Sequence, residues 1–174
     1  MEIRESLPVH EHRAPPRREH EPCLRIDGLV EQTIDAHVSD LDALPRTEHI
    51  EAFTCEEGWT VPALRWRGMR LPDVVALARP LPSARYVRVH AGNYVIPVSF
   101  DDARTALLCD EMNGQPVPPA HGAPWRLLVP AGACFTSVKW VDRLEVTSEP
   151  GESEGERVAQ ARLRSRSPRQ EAHR

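Results

Sequence analysis

The sequence predicts an α+β domain, in which a strand-rich mixed sheet carries two or three short helices. Segments of alternating apolar and polar residues are short, as in half-buried strands, and turn residues separate them. The 174 residues include 17 prolines, and no long stretch has the apolar periodicity of a helical bundle. Strands and helices do not alternate regularly, which argues against a parallel α/β sheet.

The composition divides the chain into a central domain and two flanking segments. Residues 1–21 are rich in Pro, Arg, Glu and His, and we expect them to form an irregular arm. Residues 22–148 contain most of the core-forming side chains and are predicted to form the domain. Residues 149–174 are mainly small or charged, and we expect a disordered charged tail.

The domain is predicted to begin with a strand and a short helix. Residues 24–30 alternate and include a turn glycine, which is typical of a strand that meets a bend. Ser39 and Asp40 can cap a helix over residues 41–44, which Pro45 would end.

The next segment is predicted to bring a cysteine to the end of a strand. Residues 48–54 are strand-like and lead directly to Cys55, and Gly58 indicates a turn immediately after it. Residues 63–66 continue to a second predicted turn at Arg67-Gly68.

A helix, a hairpin and a second helix are predicted to follow. Residues 72–78 begin with proline, which is favoured in the first turn of a helix. Residues 85–90 alternate cleanly, and 93–98 resemble their hairpin partner across Ala91-Gly92. Ser99 can then start a helix that runs to about residue 108.

The domain is predicted to end in two strands. Asn113-Gly114 is a turn dipeptide, and an irregular proline-rich stretch follows it as far as residue 124. Residues 125–130 and 137–147 are predicted to form the last strands.

Charge and cysteine content argue against several functional classes. The net charge of −4 gives no reason to expect nucleic acid or an anionic membrane as a partner. No stretch is apolar for long enough to span a bilayer, and Arg17-Arg18 precedes charged residues instead of the apolar region of an export signal. We therefore expect a cytoplasmic protein. The four cysteines are far apart, unlike those of a disulfide framework or a zinc ribbon.

Three motifs contain the residues that point to chemistry. The first, at 53–59, reads Phe-Thr-Cys-Glu-Glu-Gly-Trp. The second reads Met-Asn-Gly-Gln-Pro at 112–116 and His-Gly-Ala-Pro-Trp-Arg-Leu at 121–127. The third, at 136–140, reads Thr-Ser-Val-Lys-Trp.

Together and in this order, the motifs resemble the molybdenum-binding domain of the sulfite oxidase superfamily, over residues 22–147. That superfamily includes sulfite oxidases, plant-type nitrate reductases and the bacterial catalytic subunit that reduces protein methionine sulfoxide. The resemblance implies the molybdopterin-binding fold, molybdenum with one pyranopterin as cofactor, and oxygen-atom transfer on a small-molecule substrate. Since the chain has no haem or flavin motif, a separate electron-transfer partner is expected.

The resemblance also implies roles for individual residues. Cys55 would be the thiolate ligand of molybdenum, and Glu57 matches an acidic catalytic residue near the metal. The cofactor contacts that the motifs imply are His121, Arg126, Ser137, Val138 and Lys139.

These residue types also suit the cofactor on physical grounds. Molybdenum needs soft thiolate ligands, so a single loop-borne cysteine can complete a site that a dithiolene begins. The planar guanidinium of Arg126 suits the anionic phosphate of the pterin. Lys139 is the single lysine among 22 Lys and Arg residues, which indicates a demand for a compact charge. Of the other cysteines, Cys134 is the one expected to approach the cofactor.

The residues after Cys55 favour the sulfoxide-reductase branch over true sulfite oxidases. Sulfite oxidases have arginines there, whereas this chain has Glu56 and Glu57, which would repel a sulfite dianion. Two alternatives remain open. One is a degenerate, non-catalytic module that binds the pterin or serves as a scaffold. The other is a thiol hydrolase that uses Cys55 with His90 or His121, although no glycine motif of the oxyanion type lies beside the cysteine.

Overall fold

A computed structural model of the chain describes residues 2–9, 21–55, 58–155, 157–158 and 160–161. The strands are β1 (Glu2–Ile3), β2 (Cys23–Gly28), β3 (Ile34–His37), β4 (Arg46–Cys55), β5 (Trp59–Arg70), β6 (Tyr86–Ala91), β7 (Tyr94–Ser99), β8 (Leu107–Met112), β9 (Gln115–Pro116), β10 (Arg126–Leu128) and β11 (Arg143–Thr147). The α-helices are α1 (Val38–Leu41), α2 (Leu71–Ala76) and α3 (Phe100–Ala103), and the 3₁₀ helices are η1 (Pro119–His121) and η2 (Cys134–Thr136). The predicted α+β class is confirmed.

The strands form two sheets. The first has the order β1-β5-β8-β10, with β4 and β9 pairing to β5 and β8. The second has the order β3-β2-β11-β6-β7. It is mixed, because β11 pairs parallel with β2 and antiparallel with β6.

Two apolar clusters form the core, and the first sheet separates them. The larger cluster contains side chains of both sheets, including Ile26 of β2 and Leu127 of β10. The smaller cluster, called here the second cluster, includes Cys109 of β8 and Leu128 of β10. Neighbouring residues of β10 therefore face opposite clusters, as the alternation of side chains along a strand requires.

The first helix is one place where the sequence-based prediction is wrong. The predicted helix over residues 41–44 instead occupies Val38–Leu41, with His37 at its N-cap. The Asp40 carboxylate accepts a hydrogen bond from the His37 backbone N–H over 2.8 Å. This bond caps the first turn about three residues earlier than predicted.

The predicted turn at Arg67-Gly68 is also wrong, because both residues lie within β5. A Cβ atom at Gly68 would overlap the Leu108 carbonyl and the Cys109 Cα of the adjacent strand β8. The pairing of β5 with β8 shifts its register between Arg67 and Gly68. Glycine thus allows a close approach of two backbones at a bulge instead of reversing the chain.

The helix predicted from Ser99 to about residue 108 starts as expected but is shorter. Ser99 caps α3 by accepting a hydrogen bond from the Asp102 N–H over 3.1 Å, and the helix ends at Ala103. Residues 107–108 belong to β8, since a continuous apolar run suits a strand that is buried on both faces. The predicted strand 137–147 is likewise shorter, because only Arg143–Thr147 forms β11.

The hairpin of β6 and β7 is confirmed, with Ala91 paired to Tyr94 across a turn at Gly92. Of the N-terminal segment, residues 2–3 add a parallel strand to β5. Of the tail predicted to be disordered, the structure describes residues as far as 161. Gly155 is in close contact with Tyr94 and Ile96 of β7. No helix within the described ranges is long and apolar enough to cross a bilayer.

Candidate functional site

The first motif forms a tight hairpin that places Cys55 at the end of β4. Cys55 pairs with Trp59, the first residue of β5. The Gly58 N–H donates to the Cys55 carbonyl over 2.9 Å, and Gly58 has a φ of 91°, which favours glycine. The predicted position of Cys55 at the junction of a strand and a loop is confirmed. Glu57 lies outside the described residues.

The Cys55 side chain belongs to the second cluster and is only 9% exposed. Its Sγ lies 3.1 Å from the Sγ of Cys134, which is the first residue of η2. The end of β4 therefore meets the segment that leads to the third motif. Sequence patterns did not predict this sulfur–sulfur contact, since 79 residues separate the two cysteines.

Arg126 is a buried cation on the same face of the first sheet. Its residue exposure is 3%, and it pairs in register with Cys109, a member of the second cluster. The guanidinium carbon lies 5.0 Å from the ring centroid of Trp66 and 5.3 Å from that of Phe53. Both distances are suitable for cation–π attraction. Phe53 thus links the strand of Cys55 to the buried guanidinium.

The guanidinium of Arg126 joins the second and third motifs by two hydrogen bonds. Its Nε donates to Ser137 Oγ and an Nη donates to the His121 carbonyl, each over 3.0 Å. Burial lowers the pKa of Arg126 to about 10, while the negative charges of Cys109 and Cys134 thiolates would raise it. Arg126 is therefore cationic at neutral pH. No carboxylate among the described residues lies within ion-pair distance of it.

The third motif fixes the loop that contains His121. Lys139 Nζ donates to the Ala120 carbonyl over 2.9 Å, and Trp140 Nε1 donates to the Pro119 carbonyl over 2.7 Å. His121 is 8% exposed. The single lysine of the chain therefore lies against the turn of η1, beside the predicted cofactor residue His121.

Gly122 allows these segments to approach closely. It has a φ of 121°, and a Cβ there would lie 3.0 Å from Lys139 Cα and 3.2 Å from Arg126 Cβ. Glycine avoids both the steric strain of this backbone conformation and the crowding. The His-Gly pair of the second motif is thus explained by packing between the motifs.

Ser137 and Val138 differ in what they present to the site. The Ser137 hydroxyl accepts from Arg126 and donates to the Leu127 carbonyl over 3.0 Å. The Val138 side chain is 1% exposed in the larger cluster, and its N–H donates to the Thr136 carbonyl over 3.1 Å. Val138 is therefore a core residue that positions the polar residues on either side of it.

A cavity of about 230 Å³ lies between β4, the end of β10 and the loop that leads to η2. Its polar lining includes Glu51, Thr54, Cys134 and Ser137. Glu51 accepts from the Ala131 N–H over 3.3 Å. A thiol, two hydroxyls and a carboxylate thus surround a space close to the buried guanidinium. Sequence analysis did not identify Glu51, because it reads as an ordinary polar residue of an alternating strand.

A comparison with protein families matches residues 12–155 to the oxidoreductase molybdopterin binding domain. The chain belongs to this family. The match extends from the N-terminal segment to Gly155 and includes all three motifs. The resemblance inferred from the motifs is confirmed at the level of the family and its fold.

Several known proteins are similar to this family member. An uncharacterized oxidoreductase of Bacillus subtilis, YuiH, is 33% identical over 129 residues, which are 72% of this chain and 65% of that protein. The protein-methionine-sulfoxide reductase catalytic subunit MsrP of Campylobacter jejuni is 27% identical, over 77% of this chain and 52% of that protein. A nitrate reductase of Fusarium oxysporum is 28% identical, over 83% of this chain and 20% of that protein. The chain therefore matches only part of each relative.

A solved structure supports the fold. The sulfane dehydrogenase SoxCD from Paracoccus pantotrophus superimposes with a TM-score of 0.70 at 24% identity. The superposition covers 76% of this chain and 39% of that chain.

Proposed function

We propose that this chain is a molybdenum-pterin-dependent oxidoreductase that transfers an oxygen atom to or from a small substrate, with Cys55 as the metal ligand. The observation that carries the proposal is that residues of all three motifs meet beside one cavity. Cys55 contacts Cys134 at its wall, and Arg126 binds Ser137, which also lines it. The family match supplies the class of cofactor.

The protein side chains that could bind a metal here suit one whose other ligands are supplied by a cofactor. The described residues contain no group of three or more His, Cys, Asp or Glu side chains that could hold a metal ion. Cys55 and Cys134 instead offer soft sulfur, which molybdenum accepts and which magnesium or calcium does not favour. A single thiolate therefore fits a metal whose remaining ligands come from a dithiolene.

The buried charge suits an anionic cofactor. Burying a cation without a counter-charge is costly, and no carboxylate of the described residues pairs with Arg126. The guanidinium lies next to the cavity through Ser137. A phosphate or another anionic group bound there would supply a negative charge opposite the guanidinium.

When bound, the cofactor would supply the redox change and the oxygen-accepting metal. The residues of this chain would hold and orient it. Cys55 would present its sulfur from the end of β4, where it pairs with Trp59, while Arg126, Ser137 and Lys139 would bind the anionic part. His121 would contact the pterin from a loop that Lys139 fixes.

The remaining parts of the proposal come from the sequence. Val138 would contribute by placing Ser137 and Lys139, and Glu57, two residues after Cys55, is proposed as the catalytic acidic residue. A separate electron-transfer partner would exchange electrons with the site. The cytoplasmic location stays a prediction.

Metal and pterin content provide the first test. Full-length protein from a molybdate-fed, pterin-competent host should contain close to one molybdenum per chain and release a fluorescent oxidised pterin. Folded wild-type protein that contains neither would contradict the proposal and favour a non-catalytic module.

The Cys55→Ser variant tests the ligand. It should lose activity and show an altered metal spectrum even if the pterin stays bound, because a hydroxyl is a poor substitute for a thiolate. Cys23→Ser is the matched control, since Cys23 lies in β2 of the other sheet. An unchanged metal spectrum in Cys55→Ser would exclude Cys55 as the ligand.

The substrate class can be tested with a reduced viologen dye as artificial electron donor. Methionine sulfoxide and nitrate are the compounds to compare, because the names of two relatives refer to them. Dye oxidation that depends on either compound, and on Cys55, would support reductive oxygen-atom transfer. Hydrolytic activity that depends on Cys55 without metal would instead support a thiol hydrolase.

A further inference from the structure

We propose that oxidation joins Cys55 and Cys134 in a disulfide and thereby withholds the Cys55 sulfur from the cofactor. The disulfide itself is inferred from the positions of the two sulfurs. Its consequence for the cofactor rests on the proposed function of Cys55 as the metal ligand.

The geometry of the two cysteines suits bond formation. Their Sγ atoms are 3.1 Å apart, compared with about 2.05 Å in a disulfide. The backbone of each cysteine belongs to a secondary-structure element. Cys55 is the last residue of the paired strand β4, and Cys134 is the first residue of η2, which packs against β4. Small side-chain rotations can therefore close the remaining gap without moving either segment far.

Access to the two sulfurs is unequal. Cys134 is half-buried and lines the cavity, whereas Cys55 is 9% exposed. A small oxidant such as hydrogen peroxide that enters the cavity therefore meets Cys134 first. Cys109 is fully buried, with a pKa that burial raises, so it offers little reactive thiolate.

The reaction balances with hydrogen peroxide as the oxidant. Peroxide transfers one oxygen to Cys134, which becomes a sulfenic acid while one water leaves. The Cys55 sulfur then attacks the sulfenic sulfur, the S–O bond breaks, and a second water leaves with the proton of Cys55. Two thiols and one peroxide thus give one disulfide and two waters, and two electrons pass from the sulfurs to the peroxide. A dithiol reductant reverses the change by exchange.

The disulfide would act as a switch on cofactor binding. A sulfur that is bonded to Cys134 has no thiolate lone pair of the kind that molybdenum accepts. Oxidised chains should therefore fail to take up the cofactor until they are reduced. This would couple the thiol redox state of the surroundings to the supply of active protein.

Peptide mapping of the full-length, cofactor-free protein tests the disulfide directly. Tryptic peptides 47–65 and 127–139 each contain one of the two cysteines. After peroxide treatment, denaturation and alkylation, the two peptides should appear linked, at their summed mass minus two hydrogens, and alkylated thiols should fall from four to two. Separate alkylated or sulfonic acid-containing peptides would overturn the proposal.

Variants identify the pair without depending on one substitution. Cys134→Ser and Cys134→Ala should each abolish the linked peptide, while Cys23→Ser and Cys109→Ser should leave it intact. Circular dichroism confirms that each variant is folded. A linked peptide that persists in either folded Cys134 variant would contradict the proposal.

Cofactor loading tests the consequence. Reduced and peroxide-treated protein are incubated with molybdenum-loaded molybdopterin released from a donor enzyme, and bound molybdenum is measured. Oxidation should lower loading at least about tenfold, and a dithiol should restore it, whereas Cys134→Ser should load equally before and after peroxide. If the disulfide forms but loading does not change, the switch is refuted. If Cys55→Ser also retains molybdenum with an unchanged spectrum, it is the proposed function that fails.

Discussion

The guanidinium of Arg126 donates to the hydroxyl of Ser137, eleven residues further along the chain, over 3.0 Å and thereby connects the second and third motifs. The same guanidinium packs over the rings of Phe53 and Trp66. It also donates to the His121 carbonyl. One buried cation therefore contacts a residue of each motif, namely Phe53 of the first, His121 of the second and Ser137 of the third. This arrangement makes Arg126 the residue whose replacement is most informative.

Replacing Arg126 by methionine should separate cofactor binding from stability. Two hydrogen bonds are lost, but so is the cost of burying a charge, so the free energy of unfolding should change by less than about 1.5 kcal/mol. Pterin content should fall at least about tenfold, because the anionic group loses its cation. Urea unfolding and pterin fluorescence measure the two effects. Arg104→Met, at an exposed position, is the control, and wild-type pterin content in Arg126→Met would contradict the prediction.

Gly122→Ala should destabilise the loop of His121. The new Cβ would meet Lys139 and Arg126 at a φ of 121°, so we expect a loss of about 1–3 kcal/mol in the free energy of unfolding. The pterin content of the variant should decrease as well, because the loop that contains His121 is disturbed. Gly92→Ala is the matched control, because Gly92 also has positive φ but no atom within 4 Å of the new Cβ. Equal losses of stability in the two variants would show that close packing at Gly122 is unimportant.

Lys139→Arg should reduce cofactor binding although the charge is kept. The ammonium of Lys139 donates to the Ala120 carbonyl and lies 5.7 Å from the centroid of the Trp140 ring. A longer planar guanidinium cannot reproduce this geometry without moving the η1 turn. We expect pterin content to fall by about threefold to tenfold, measured by release of the oxidised pterin. Full retention in Lys139→Arg would show that only charge matters there.

Stability should decrease toward acid pH through His90. Burial lowers the pKa of His90, although the Glu145 carboxylate, 3.0 Å from its Nε2, acts in the opposite direction. Below about pH 6.5 the unfolded chain therefore binds more protons at this histidine than the folded chain does. As the pH decreases through this range, the free energy of unfolding decreases too.

His90→Gln tests this contribution. The decrease in the free energy of unfolding between about pH 8 and about pH 5.5 should be smaller in the variant, because glutamine does not titrate. Urea unfolding at the two pH values provides the measurement. A decrease of the same size in both proteins would show that His90 does not contribute.

The sequence correctly predicted those elements in which residue alternation and turn residues indicate the same structure and no tertiary contact overrides them. The hairpin of β6 and β7 was correct, since alternation and the turn at Gly92 both indicate it. Gly68 was misinterpreted as a turn because the sequence cannot show that β8 passes against it. The run at 106–108 was assigned to a helix because a short apolar segment has no periodicity that distinguishes a helix from a buried strand.

The site was predictable in its residue types but not in its contacts. The motifs identified Cys55 and Arg126, and the structure places both on the second-cluster side of the first sheet. The contact of Cys55 with Cys134 depends on how η2 packs against β4, which no spacing in the sequence reveals. The packing role of Gly122 likewise depends on tertiary structure.

The central position of β11 in the second sheet has a consequence for biosynthesis. This strand, which ends at Thr147, lies between β2 and β6, although among the strands that the structure describes it is the last to be synthesised. During synthesis, the β2-β3 and β6-β7 hairpins therefore cannot join into one sheet until β11 has left the ribosome. Completion of the domain is therefore a late, long-range event, and a nascent chain that stops before residue 143 should expose two unmatched strand edges to other proteins.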